Sequence, residues 1–267
     1  MSNRVGRAGR RVPQPCPRAS RYGHESLMNT EPTTWPRSAI CLRPESLDVR
    51  SIAAEIYRRT CRVNLDEPGF CVLNLGQEID SVAFRQLMVD LKREMAAIHE
   101  STTGKTLAYR SAARFDQQET TRPHLDGGPD ESLLMLGYEP SAVDSELEIS
   151  DYAQCAFDRG ISPKAFMADY NPMFKPGFDM LRPYTTRVPC FFKAHYQIVC
   201  INNSCAPYAE SQSTWQGTLH TATILTPEET ASRIINSTMI ASVPAGTADK
   251  IDAEELNDFI STSVVSR

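Results

Sequence analysis

The sequence lacks the features that mark several common classes of protein. No uninterrupted apolar run approaches the roughly 18 to 20 residues that span a bilayer, so we expect no membrane partner. No internal repeat is visible, and no G-x-S-x-G nucleophile motif occurs. The segment STTGKT at 101–106 ends like a phosphate-binding loop, but His99 stands where that loop needs its first glycine. Neither a nucleotide-binding loop nor a serine-hydrolase motif is therefore indicated.

Cysteine pairs with the close spacing of a metal or redox motif are also missing. Eight cysteines are scattered along the chain without a C-x-x-C pair, at positions 16, 41, 61, 71, 155, 190, 200 and 205. Disulfide frameworks are typical of short secreted chains, and a chain of 267 residues is not short. We therefore predict reduced thiols in a cytoplasmic protein.

Negative charge outweighs positive charge after the first 27 residues. Residues 1–27 contain six arginines and one acidic residue, Glu25, and so carry a net charge of +5. The whole chain carries −5, so residues 28–267 carry −10. Surfaces that bind nucleic-acid phosphates are basic. We therefore expect a small-molecule partner rather than a nucleic acid; the sequence is silent on oligomeric state.

The Arg-rich N-terminal segment lacks the apolar core of a secretory signal. We assign residues 1–45 to a disordered leader and arm outside the folded domain. Two alternatives for the leader are misassigned sequence upstream of Met28 and a peptide for organelle import. Residues 46–250 are predicted to form a single domain, and residues 251–267 a tail or a short C-terminal helix.

The apolar spacing after residue 45 changes from a helical period to an alternating one. A helix is predicted from Ser46 to the turn at 66–69, and a second one across 84–98. Six segments are rich in β-branched and aromatic residues and predict strands, at 70–75, 106–115, 132–140, 190–202, 217–225 and 233–243. Helices followed by strands favour an α+β, mainly β fold, a sandwich or jelly roll with the N-terminal helices packed on one sheet.

Residues 141–189 interrupt the predicted strands. This polar segment has two weak helical patterns, at 147–158 and 163–169, and a length typical of a lid or binding loop. It also contains seven aromatic residues that could contact a substrate or pack on the domain, at positions 152, 157, 166, 170, 174, 178 and 184. We interpret the segment as a lid-like insert.

The segment TTRPHLDGGPDESLLMLGYEP, residues 120–140, contains the strongest candidate for a functional site. On an extended chain, His124 and Asp126 point to the same side, whereas Leu125 faces away. Gly127 and Gly128 allow a tight turn and leave space beside the pair. Alone, this pattern is more typical of a histidine that is merely hydrogen-bonded to a loop aspartate than of a functional site.

Two residues in later predicted strands strengthen the candidate site. His220 lies in GTLHTATIL, and Arg233 begins the last predicted strand. Two histidines and one carboxylate are a ligand set that suits Fe(II) and leaves open positions for oxygen. The planar guanidinium of Arg233 is suited to bidentate binding of a carboxylate.

With these residues, the sequence resembles the 2-oxoglutarate- and Fe(II)-dependent dioxygenases over residues 46–243. That family has an H-x-D motif, a long gap, a histidine and then an arginine, which correspond here to His124, Asp126, His220 and Arg233. The resemblance implies a double-stranded β-helix (a jelly roll). It also implies that the two histidines and the aspartate are catalytic Fe(II) ligands, that Arg233 binds the cosubstrate 2-oxoglutarate, and that O₂ is consumed in a hydroxylation. Desaturation or ring closure are other outcomes, but the aspartate argues against halogenation.

Other readings of the same residues stay open. A cupin-like hydrolase or isomerase could use the same His/Asp/His metal site, and a jelly roll without metal could simply pair His124 with Asp126. The primary substrate is not indicated; Arg114 and Arg122 could meet an anionic substrate or be ordinary surface residues. The other three histidines are not predicted to be functional. We interpret His24 and His99 as surface residues and His195 as a structural residue.

Overall fold

The computed structural model describes residues 35–206 and 214–266. The described helices lie at Arg37–Ile40 (α1), Val49–Thr60 (α2), Ser81–Thr103 (α3), Tyr152–Asp158 (α4), Pro163–Asp169 (α5), Lys175–Leu181 (α6) and Ala253–Ser261 (α7). The two longest of them, α2 and α3, precede most of the strands, whereas the other helices are short. None of the described helices is long and apolar enough to cross a membrane.

The described strands alternate with helices only as far as the third strand, at Lys105–Asp116. Their bounds are Cys41–Leu42 (β1), Phe70–Gly76 (β2), Lys105–Asp116 (β3), Ser132–Tyr138 (β4), Asp144–Ser150 (β5), Thr185–Arg187 (β6), Tyr196–Asn202 (β7), Leu219–Thr226 (β8) and Ile234–Pro244 (β9). All six predicted strands are confirmed, although β7 begins six residues later than its apolar pattern.

The strands form two sheets. The larger sheet has six strands in the order β1-β2-β7-β4-β9-β3, and all of its pairings are antiparallel except β1 with β2. The smaller sheet has three strands in the order β6-β5-β8, all antiparallel. The result is a mixed fold in which sheets dominate, consistent with a β-sandwich; the jelly-roll connectivity stays a prediction.

Alternation along the strands divides the core into two layers. In β4, Leu134, Leu136 and Tyr138 join a buried cluster with Leu147 and Ile149 of β5, so this cluster lies between the two sheets. We call it the inter-sheet core. Because neighbouring residues of a strand point to opposite faces, the rest of β4 faces the other way.

The other face of the larger sheet is covered by helices. Leu133 and Met135 of β4 pack with Ile56 of α2 and with Phe84 and Met88 of α3. The apolar stripe of α3 is buried as its spacing predicts, and Asp80 caps the helix by accepting hydrogen bonds from the amides of residues 82 and 83. The expectation that the N-terminal helices pack on one sheet therefore agrees with the observed contacts.

The arm assigned to residues 1–45 ends earlier than predicted. Residues 1–34 lie outside the described residues, but 37–42 form α1 and β1. Ile40 is buried in the inter-sheet core, and Cys41 and Leu42 pair with β2. The arm prediction is therefore wrong for this stretch, because an apolar side chain and a free edge of the sheet were available to hold it.

The lid-like insert at 141–189 is also corrected in part. The pattern at 147–158 predicted a helix, but residues 144–150 form β5, the central strand of the smaller sheet. Residues 152–158 and 163–169 are helical, as predicted. Tyr152 and Phe166 are fully buried in a third cluster with Leu219. The segment is therefore largely a structural part of the domain.

One disulfide contradicts the prediction of reduced thiols. Cys41 of β1 is bonded to Cys190 in the segment before β7. The prediction rested on the chain being neither short nor marked for secretion, which does not exclude a single bond between two cysteines 149 positions apart. The remaining described cysteines, Cys61, Cys71, Cys155, Cys200 and Cys205, are free, and a cytoplasmic location stays a prediction.

Candidate metal centre

The candidate ligands come from two segments that run side by side at the edge of the smaller sheet. The amide of His124 donates to the carbonyl of His220 and the amide of His220 donates back, both at 3.3 Å. Thr121 strengthens the pairing, because its amide donates to the carbonyl of Ala222 at 2.9 Å. The segment that contains the H-x-D motif therefore extends the smaller sheet beyond β8.

Backbone pairing places the two imidazoles on the same face of this sheet. Directly opposite residues of an antiparallel pair project together, and the ring centroids of His124 and His220 are 4.2 Å apart. His220 also pairs with Ile149 of the neighbouring strand β5, and the side chain of Ile149 lies in the inter-sheet core. The histidines therefore lie at the margin of the space between the sheets.

Asp126 completes a cluster of three potential ligands. Its Oδ1 is 3.3 Å from Nε2 of His124, and one ligand atom from each of the three residues lies within 4.8 Å of the other two. Leu125 faces away, as predicted, and packs against the third cluster around Tyr152 and Phe166. The structure thus brings together the three residues that the sequence pattern selected.

The two glycines after Asp126 differ in what they contact. Neither Gly127 nor Gly128 has a positive φ, so the turn does not depend on the left-handed conformation. A Cβ at 128 would lie 3.1 Å from Sδ of Met239, whereas a Cβ at 127 would meet nothing within 4 Å. The expected open space is therefore found beside Gly127, while Gly128 allows a close approach to β9.

Hydrogen bonds within the cluster shift the pKa values of His124 and Asp126 in opposite directions. Nδ1 of His124 lies 2.6 Å from the carbonyl oxygen of Arg122, so this nitrogen donates and Nε2 faces Asp126. Burial raises the pKa of Asp126, but the hydrogen bond to His124 and the nearby His220 outweigh it and lower the value. The hydrogen bond to Asp126 in turn raises the pKa of His124.

His220 is the most enclosed member of the cluster. Burial, and to a smaller extent the proximity of His124, lowers its pKa to about 4. Its Nδ1 is buried and has no hydrogen-bond partner among the described residues. A buried polar atom without a partner is costly, and a metal ion would relieve this cost for a ring nitrogen.

The donor set fits a divalent metal. Neighbouring ligands of an ion with bonds of about 2.1 Å are about 3.0 to 3.4 Å apart, so side-chain rotations that draw the three atoms together from their present separations, all within 4.8 Å, would allow them to share one ion. Two neutral imidazoles and one carboxylate are the set expected for non-haem Fe(II). The carbonyl of Arg122 supplies the hydrogen bond that typically orients a metal-bound histidine. Binding of iron by these residues stays a prediction.

Arg233 lies buried at the start of β9, with 2% of its surface exposed. Its Nε donates to Oγ of Ser145 at 3.1 Å and its Nη1 to the carbonyl of Gln117 at 3.2 Å. Its Nη2 is buried without a partner among the described residues. A buried cation with one unused donor is a candidate anchor for an anion.

Tyr138 connects the arginine to the ligand cluster electrostatically. The guanidinium carbon of Arg233 lies 5.0 Å from the centroid of the Tyr138 ring. Burial raises the pKa of Tyr138, Arg233 opposes this shift and Asp126 adds to it. The charges of Arg233 and Asp126 thus act in opposite directions on the pKa of Tyr138.

Three residues of this site were missed by the sequence. Tyr138 and Ser145, which contact Arg233, were not singled out within the predicted strand at 132–140 and the lid-like insert. The side-chain amide of Asn203 hydrogen-bonds to both the backbone N–H and the backbone carbonyl of Asp126. The only signal for Asn203 was its position in an Asn-Asn-Ser run at the end of a strand, which does not indicate a partner.

The other residues that the sequence singled out are engaged elsewhere. Arg114 pairs with Glu139 at 3.1 Å, and the guanidinium of Arg122 lies 5.5 Å from the ring centroid of Phe178. His99 is not a surface residue, because it is buried between the hydroxyls of Tyr57 and Ser242. His195 lies just before β7 and is 3.0 Å from Oδ1 of Asn74. His24 lies outside the described residues.

Comparison with known proteins gives no close relative. No protein-family profile and no curated protein matches the sequence. Among solved structures, two forms of the iron and alpha-ketoglutarate-dependent endoperoxidase NvfI are similar, a single-residue variant and one with a different conformation. Each is 12% identical, matches 70% or 71% of this chain and 81% of its own, and has a TM-score of 0.36. Such a distant likeness assigns neither family nor function, and the residues of this chain must carry the conclusion.

Proposed function

We propose that this protein is a non-haem Fe(II) oxygenase that couples the oxidative decarboxylation of 2-oxoglutarate to hydroxylation of a small organic substrate. The observation that carries the proposal is the convergence of His124, Asp126 and His220 within 4.8 Å. The unpaired donor of Arg233 adds a site for the carboxylate of a cosubstrate. A double-stranded β-helix is the fold that this proposal implies.

The three ligands have distinct roles in the proposed site. His220 would bind from the buried side, and His124 and Asp126, whose side chains are 27% and 40% exposed, from the side nearer solvent. Because the protein would contribute only three ligands to a bound Fe(II), the cosubstrate and O₂ would also have access to the metal. When bound, Fe(II) would supply the activation of O₂.

Arg233 would hold the distal carboxylate of 2-oxoglutarate. Ser145 and Gln117 fix two of its nitrogens and leave Nη2 free to donate. Because the site is buried, the charge-assisted hydrogen bond would be stronger than at the surface. The ring of Tyr138 lies beside the guanidinium, with its centroid 5.0 Å from the guanidinium carbon.

Anaerobic titration with Fe(II) and then 2-oxoglutarate tests the proposal. Chelation of the metal by a 2-oxo acid should produce a weak visible charge-transfer band, and this band should be absent from Asp126→Ala. Metal uptake without the band would favour a cupin-like hydrolase or isomerase. No metal uptake would contradict both metal-dependent functions and leave a binding jelly roll. The substrate can then be sought by measuring succinate release against a metabolite library.

A further inference from the structure

We infer that Asn203 is a positioning residue for Asp126, so that the affinity of the site for a divalent metal depends on the buried amide of Asn203. This inference rests on the proposed function, because it assumes that Asp126 is a metal ligand. It adds a residue outside the His/Asp/His/Arg pattern, from a segment that no part of that pattern includes.

The contact is a reciprocal pair of hydrogen bonds. The amide nitrogen of Asp126 donates to Oδ1 of Asn203 at 3.0 Å, and Nδ2 of Asn203 donates to the carbonyl of Asp126 at 2.8 Å. Asn203 directly follows the last residue of β7. Its side chain therefore makes the same pair of hydrogen bonds to the backbone of Asp126 that a neighbouring strand would make, one position beyond the end of β7.

The orientation of the amide is determined by its surroundings. Nδ2 also donates to Oγ of Ser132 at 3.1 Å, so both of its hydrogens have acceptors. A rotation of the amide by half a turn would oppose Nδ2 to the amide of Asp126 and Oδ1 to its carbonyl, which would be repulsive. Asn203 is 3% exposed, so water cannot readily replace these contacts.

Asp126 needs this support because the chain beyond it is weakly held. On one side, His124 is paired to His220 of β8. On the other side come Gly127 and Gly128, which are exposed and have no side chains. Asn203 is therefore what ties the peptide of Asp126 to the larger sheet, while His124 is tied to the smaller one. The relative position of the two ligands depends on both attachments.

Titration with Co(II), monitored by its visible spectrum, tests the inference in full-length protein. Asn203→Ala should bind Co(II) about 10 to 100 times more weakly than wild type, the usual effect of losing a group that orients a ligand. The matched control is Asn236→Ala, which removes an equally buried asparagine that donates to Gly137 and Glu139. The control should lose stability but keep its Co(II) affinity.

Two results would overturn the inference while leaving the proposed function intact. One is wild-type Co(II) affinity in Asn203→Ala, and the other is an equal loss of affinity in both variants, which would indicate general destabilisation. If Asn203→Ala does not fold, amide hydrogen exchange in the wild type decides. The amide of Asp126 should exchange far more slowly than that of Gly127, and equal rates would contradict the role of Asn203. Failure of the wild type itself to bind Co(II) would instead contradict the proposed function.

Discussion

His124 and His220 are directly paired through their backbones, although they are far apart in the sequence. Each amide donates to the carbonyl of the other residue at 3.3 Å, and the ring centroids are 4.2 Å apart. The distance between the two imidazoles is therefore set by the pairing of two extended segments. Mutation of either side chain leaves that pairing available, so the fold and the metal site can be tested separately.

We expect His220→Ala to fold and to lose the metal. The backbone hydrogen bonds to residue 124 remain possible, so the far-ultraviolet circular dichroism spectrum should match that of the wild type. The loss of one of three ligands should weaken Fe(II) binding by more than the roughly 10- to 100-fold caused by losing an orienting group. Wild-type Fe(II) affinity in this variant, measured anaerobically by equilibrium dialysis, would remove His220 from the ligand set.

Arg233→Ala should weaken 2-oxoglutarate binding without a comparable effect on Fe(II). Truncation of one partner of a buried charge pair costs roughly 2 to 5 kcal/mol, and Arg233→Lys should recover little of it because lysine lacks the planar fork. Calorimetric titration of the metal-loaded protein measures both affinities.

Arg122→Ala is the matched control for this experiment. Its guanidinium lies over Phe178, and only its carbonyl, which the substitution retains, contacts His124. We therefore expect an unchanged affinity for 2-oxoglutarate. Equal losses of Fe(II) and 2-oxoglutarate binding in Arg233→Ala would show that the arginine supports the fold of the site rather than the cosubstrate.

The stability of the protein should decline on acidification below about pH 6.5, in part because of His99. Burial lowers the pKa of His99 from 6.5 to about 4. Between these values the unfolded chain binds a proton that the folded protein excludes, so the free energy of unfolding falls as the pH falls. A shift of this size corresponds to about 3 kcal/mol at its limit. Chemical denaturation between pH 7 and pH 4 measures the decline.

His99→Gln isolates this contribution. A glutamine can still hydrogen-bond to Tyr57 or Ser242, the present partners of His99, but it does not titrate. The variant should therefore lose less stability than the wild type over the same pH interval. Parallel pH dependences in the two proteins would mean that His99 does not contribute.

Reduction of the disulfide between Cys41 and Cys190 should destabilise the protein. The bond joins residues 149 positions apart, and removal of a native disulfide typically costs about 2 to 5 kcal/mol because the unfolded chain regains freedom. We expect a lower midpoint of thermal unfolding in Cys41→Ala and in wild type with reductant. Cys205→Ser, at a partly exposed free thiol, is the control. A wild type that is insensitive to reductant, with no disulfide-linked peptide in mass spectrometry, would contradict the pairing.

Elements with a local signal were predictable. The apolar stripe of α3 repeats at helical spacing, and the helix ends at Gly104, which has a positive φ. All the features that predict this helix therefore lie within one segment of the sequence. The strand β5 was missed because only Leu147 and Ile149 alternate there, among acidic residues. It is a strand because those two side chains reach the inter-sheet core and its backbone pairs with β6 and β8.

His99 shows the same limit for burial. From the sequence we interpret it as a surface residue. In the structure, Tyr57 from α2 and Ser242 from β9 satisfy both of its ring nitrogens, so the imidazole can be buried without an unpaired donor or acceptor. Those partners come from two distant segments that no local pattern could identify.

By itself, the sequence determined which side chains could act together along one segment. His124 and Asp126 project to one side and Leu125 to the other because residues alternate on an extended chain, and the helices follow from their apolar periods. Only the tertiary structure decided that His220 lies beside His124, that Asn203 holds Asp126, that Tyr138 lies against Arg233 and that Cys41 meets Cys190. These are contacts between segments remote in sequence, and their distances depend on how two sheets pack around a shared core, which no local spacing encodes.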